Sequence, residues 1–192
     1  MQKTLKRQDI EKLTIGAMLL ALQVILGTFL EIPFPQKQFN LGFIPIAVAG
    51  ALLGWPYALA VGSLGDIIGV ILKPNGFFFP GFSLTGALVG IICGLILYRK
   101  KPSIVRVVIL VSFVFGIIYL FLNSYWLYFI NSDTWRKLVN ITSDPISKTY
   151  WGWVSWRFRA YPIEVPVNIA LVYYVLIWVT KMKLPSHIKL NE

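Results

Sequence analysis

Few residues of this chain have the chemistry to hold or transform another molecule, and most of them stand at the ends of long apolar runs. His187 is the single histidine and lies in the C-terminal tail, which argues against a histidine metal site or an imidazole base. No glycine-rich loop ending in Gly-Lys-Ser/Thr is present to cradle a nucleotide phosphate, so an enzyme is not expected. What remains is recognition. Asn123-Ser124-Tyr125-Trp126 places an amide, able to bond bidentately to a heterocycle edge, three residues from an indole face. Glu164 and Asn168 are four apart and share a helical face, with Arg157, Arg159 and Tyr161 just before them. Gln36, Lys37 and Phe39 fall in an early loop, and Phe77, Phe78, Phe79 and Phe82 crowd another. Bland readings stand beside these: an interfacial aromatic belt, headgroup contact for the arginines and, for Asp66, a helix-to-helix bond as against contact with a ligand or a lid anchor. Taken together, the groups suit a planar, aromatic, anionic ligand.

The elements that position them are membrane helices. The chain is 57% hydrophobic and 14% charged over 192 residues, against about half and a quarter in soluble domains. Apolar segments long enough to cross about 30 Å of hydrocarbon recur. An all-α integral membrane bundle is predicted, one domain over 1–192, with spans over 13–30, 42–54, 55–72, 84–97, 104–130 and 163–180. The second is short for a span unless protein shields it. No cleavable signal is expected. Cys93, in an apolar run, reads as a small hydrophobe. The +10 charge reads as topology rather than nucleic-acid binding. Placing both termini in the cytoplasm puts most of the basic residues there, and the polar groups above then converge on the outer side. The 131–160 segment is read as a polar external loop, basic enough to attract an anion.

Within the bundle, Gly86, Gly90 and Gly94 repeat every four residues, a groove that lets another helix backbone approach. Pro80-Gly81 before them is read as irregular loop. The phenylalanines of that loop read either as an interfacial anchor or as a hydrophobic lid over a cavity. Small residues also recur at Ala17/Ala21 and Gly50/Gly54.

Several stretches together resemble the substrate-binding S component of energy-coupling factor (ECF) vitamin transporters, and within them the folate-specific group. They are Ala17-x-x-x-Ala21, Phe43-Ile44-Pro45-Ile46-Ala47-x-Ala49-Gly50-x-Leu52-x-Gly54, Gly65-Asp66-Ile67-Ile68-Gly69, Phe78-Phe79-Pro80-Gly81-Phe82-Ser83-Leu84-Thr85 and Leu122-Asn123-Ser124-Tyr125-Trp126-Leu127. The likeness spans nearly the whole chain. It implies a prokaryotic multi-pass membrane protein that captures folate outside and has no ATPase of its own. A membrane-embedded T component and two cytoplasmic ATPase subunits would complete the transporter. It also implies that Ala17 and Ala21 meet the T component, that the loops after the first and third spans gate the pocket, and that the protein topples to carry its vitamin inward. The Trp151–Tyr161 segment, rich in tryptophan and arginine, departs from the family's pattern.

For folate, the expected roles are stacking by Phe79, Phe82 and Trp126, pterin bonding by Asn123 or Asn168, and carboxylate binding by Lys37, Arg157 or Arg159. Two charge-assisted bonds at about 1.5–3 kcal/mol each, with aromatic burial, support nanomolar capture. No cofactor or metal is expected. The alternatives are an S component for pantothenate or riboflavin, a self-sufficient transporter or channel, and a membrane scaffold that binds no small molecule.

Overall fold

Many large apolar side chains point outward, as in no water-soluble surface, and small ones line part of the interior. In the computed structural model Met18, Ile71, Leu95, Val105 and Trp178 are more than 60% exposed, whereas Ala47, Ala49 and Ala58 are fully buried. Such a surface suits hydrocarbon, and such an interior lets helices pack closely. The structure describes residues 7–30, 32–33, 38–39, 41–73, 78–132 and 149–182.

Helix α1 (Arg7–Val24) runs on through a π-helical turn, Ile25–Phe29. A two-residue antiparallel pairing follows, β1 (Ile32–Pro33) with β2 (Gln38–Phe39). Helix α2 (Phe43–Leu53) has only eleven residues and is buried on nearly every face. A helix apolar all round must be surrounded, and α1, α3, α4 and the last helix enclose it. Protein shielding therefore explains its shortness. Gly54, at φ 90° and ψ 179°, adopts a conformation open only to glycine. This breaks α2 from α3 (Trp55–Leu72), whose first turn holds Pro56, where a missing N–H costs nothing.

Helix α4 (Pro80–Leu97) begins four residues earlier than the sequence suggests. Pro80 is not loop: it takes the first helical position behind an extended Phe79, for which its fixed φ is suited. The glycine groove then packs on α3. A Cβ on Gly86 would strike the Gly62 backbone, one on Gly90 the Ala58 backbone, and one on Gly94 the Trp55 backbone. On the other side, a Cβ on Gly50 would lie 2.7 Å from the Cys93 carbonyl carbon, and Cys93 is wholly buried.

Helix α5 (Ile104–Phe113) passes into a nine-residue π-helical stretch, Val114–Leu122, and then α6 (Asn123–Ile130) without interruption. The sequence leaves open whether the 131–160 segment between spans is helical, and its end is. Helix α7 (Tyr150–Phe158) forms there, capped by Thr149 Oγ1, which accepts from the Gly152 N–H at 3.2 Å. Its mixture of tryptophans and polar residues hides the period in the sequence. Helix α8 (Tyr161–Lys181) closes the described chain and carries Pro166 inside it. Among the described residues, five helical segments are long and apolar enough to cross a membrane, and α2 is a shorter apolar one.

Candidate functional site

Buried polar atoms usually have partners, and leaving one without costs about 1–3 kcal/mol. Three neighbouring elements nevertheless carry several. On α6, Asn123 Oδ1 and Ser124 Oγ are buried and have no hydrogen-bond partner among the described residues. On α8, Asn168 is completely buried; its Nδ2 donates to the Glu164 carbonyl at 2.9 Å, while its Oδ1 meets no donor among the described residues. On α7, Arg157 is 8% exposed and its Nη1 finds no acceptor among the described residues. Helix α7 packs against α6, the π-helical stretch and α8, so the elements that carry these groups are neighbours.

Arg157 is the unusual member, because buried guanidinium groups are normally paired. Burial lowers its pKa from the ordinary value, and the surrounding Tyr161, Glu164 and Tyr119 act in the opposite sense. It remains charged at any physiological pH. Tyr161 donates its hydroxyl to the Phe115 carbonyl, fastening the start of α8 to the π-helical stretch. Phe158 stacks on Tyr161 at 6.3 Å between centroids and 18° between planes, which steadies the end of α7 beside Arg157.

An aromatic wall adjoins these polar atoms through α6, where Asn123 and Trp126 share a face. Phe79, buried at the start of α4, lies 5.9 Å from Phe82, 5.5 Å from Trp126 and 6.0 Å from Phe129. Trp126 Nε1–H donates to Thr85 Oγ1 at 3.1 Å. Ser83 Oγ–H donates to Asp66 Oδ2 at 2.6 Å, so Asp66 makes the helix-to-helix bond of its bland reading.

The residues singled out from the sequence thus divide. Phe79, Phe82, Asn123, Trp126, Arg157 and Asn168 fall on the elements of this region. Arg159 is exposed at the end of α7. Lys37 lies outside the described residues. Ala17 and Ala21 are exposed on α1, in an apolar face with Leu13, Met18 and Leu22.

Three side chains escaped the sequence reading. Thr85 gave no signal beyond being, with Ser83, a hydroxyl early in an apolar helix. Ser124 is fully buried, which its place beside Asn123 did not foretell. Gln23 buries its Oε1 without a partner against Gly65; as the only amide of the first apolar run it was legible in principle.

Comparison with known proteins follows the same lines. A family model described as the substrate-specific component of ECF transporters matches residues 11–183. A protein of Clostridium novyi (strain NT) named folate transporter FolT is 34% identical over 111 residues, 58% of this chain and 64% of that relative. A protein of the same name from Leuconostoc mesenteroides is 23% identical over 171 residues, 88% of this chain and 85% of its own. A crystal structure of FolT bound with folic acid superposes with a TM-score of 0.69 at 22% identity, covering 90% of this chain and 96% of that one. At that identity the superposition establishes the fold.

Proposed function

The chain belongs to the substrate-specific components of ECF transporters, and from that membership we propose that it is a membrane protein that captures folate outside the cell and delivers it inward. Two relatives named for folate transport and a fold shared with a folic-acid-bound protein support the choice of vitamin. The observation that carries it is that the Arg157 Nη1 and the Asn123 and Asn168 amide oxygens are buried without a partner among the described residues, on α7 and the two helices packed against it, one of which bears Trp126.

In this reading the pterin ring stacks against Trp126, with Phe79 and Phe82 behind it. The amide oxygens of Asn123 and Asn168 accept from its amino and ring N–H groups, since a carbonyl oxygen only accepts. Arg157 binds a carboxylate of the glutamate tail, for which its planar fork is suited. Arg159 and Lys37 attract the anion from solution rather than hold it. A buried cation favours a carboxylate-bearing vitamin over uncharged riboflavin.

The chain is a single domain of six spans with cytoplasmic termini, α2 being the shielded sixth. It has no ATPase of its own and works with a T component and two ATPase subunits, the Ala17/Ala21 face of α1 meeting the T component. Reconstitution tests this. ATP-driven folate uptake into proteoliposomes is expected only when all components are present, and uptake by this chain alone would overturn the division of labour.

A further inference from the structure

Thr85 holds two hydrogen bonds whose polarity follows from its chemistry. Its hydroxyl carries one proton, which it donates to the Gly81 carbonyl at 3.0 Å. Its oxygen is then left to accept, and the Trp126 indole N–H, a donor only, supplies the bond at 3.1 Å. Thr85 is 2% exposed, so water does not compete for either bond. The same helical turn presses on the ring itself. A Cβ on Gly81 would lie 2.7 Å from Trp126 Cδ2 and would also strike the Phe79 ring. Phe79 flanks the indole at 5.5 Å and Tyr125 at 5.3 Å.

From this geometry we infer that Thr85 is a positioning residue for ligand binding: it fixes the indole plane of Trp126 and engages its N–H, so that Trp126 meets a ligand by its face alone. The inference rests on the folate reading above for the identity of the ligand. It adds that the first two turns of α4, through Gly81 and Thr85, set the angle of the stacking surface on α6. A rotated indole would present its edge to a planar ring, where offset stacking needs the face.

Two readouts test this in the full chain in detergent. The first is the indole ¹H–¹⁵N spectrum of its seven tryptophans, with the Trp126 signal identified by its loss in Trp126→Phe. The second is folate affinity by calorimetry. Thr85→Val is expected to shift the Trp126 indole signal towards an unbonded position and to weaken folate binding about tenfold. Thr85→Ser, which keeps the oxygen, is expected to restore both. In the Trp126→Phe background, which has no indole N–H, Thr85→Val is expected to change affinity by less than about twofold, since the coupling partner is gone. An indole signal unmoved by Thr85→Val overturns the inference. So does an affinity loss of equal size in the Trp126→Phe background, the mark of a merely structural role. Failure of the unsubstituted chain to bind folate overturns the functional reading itself, and the indole shift then decides separately whether Thr85 holds the ring.

Discussion

Gly62 of α3 and Gly86 of α4 face each other so closely that a methyl group on either would collide with the other's backbone carbonyl. Gly86→Ala is therefore expected to destabilise the bundle by about 1–3 kcal/mol, the ordinary cost of overpacking. Gly116, in the π-helical stretch, has open space where a Cβ would stand, and Gly116→Ala is expected to be neutral or stabilising by up to about 1 kcal/mol. Thermal unfolding of the two variants in one detergent checks the contrast. Equal midpoints would mean that the glycine seam is not the close packing surface described.

The Ser83–Asp66 bond ties the start of α4 to α3. Ser83→Ala leaves a half-buried carboxylate without its donor and is expected to cost about 1–3 kcal/mol. Asp66→Asn retains an acceptor oxygen for the same hydroxyl and is expected to cost less. Unfolding midpoints of the pair decide the order, and a larger loss for Asp66→Asn would give the carboxylate charge a role beyond this bond.

Arg157 and Arg159 are two residues apart but differ in burial, so their substitutions separate binding from attraction. Arg157→Ala is expected to weaken folate binding at least about tenfold, as the loss of one charge-assisted bond implies. Arg159→Ala is expected to lower the association rate at low salt and to leave affinity within about threefold. Stopped-flow fluorescence at two ionic strengths reads both effects. An unchanged affinity for Arg157→Ala would remove the carboxylate assignment.

Ala17 and Ala21 are exposed on α1 and are proposed to meet the T component. Replacing both by leucine is expected to leave folate affinity within about twofold while lowering ATP-driven uptake by at least about tenfold, because bulk there blocks close helix approach. Uptake at the level of the unsubstituted protein would assign that face to lipid.

How far the sequence reached depended on how local each signal was. The four-residue spacing of Gly86, Gly90 and Gly94 is a property of one helix, and it correctly announced a close neighbour. Polar residues inside apolar runs were equally visible, so Asn123 and Asn168 stood out, but their missing hydrogen-bond partners depend on three elements meeting. Pro80-Gly81 was misjudged because proline at the first helical position and proline in a loop look alike until the preceding residue's backbone is known. Thr85 was missed because a threonine bonded to the carbonyl four residues back is ordinary in an apolar helix. Its second bond, from Trp126, spans 41 residues of sequence, and no local pattern records it.

Calorimetric titration of the purified chain with folate, alongside pteroate (which lacks the glutamate), bears most directly on the proposed capture role. Saturable one-to-one binding of folate at nanomolar concentration, weaker for pteroate by at least about tenfold and equalised by Arg157→Ala, is the predicted result. A folded chain that binds neither compound, or binds both alike before and after Arg157 is replaced, would contradict the account.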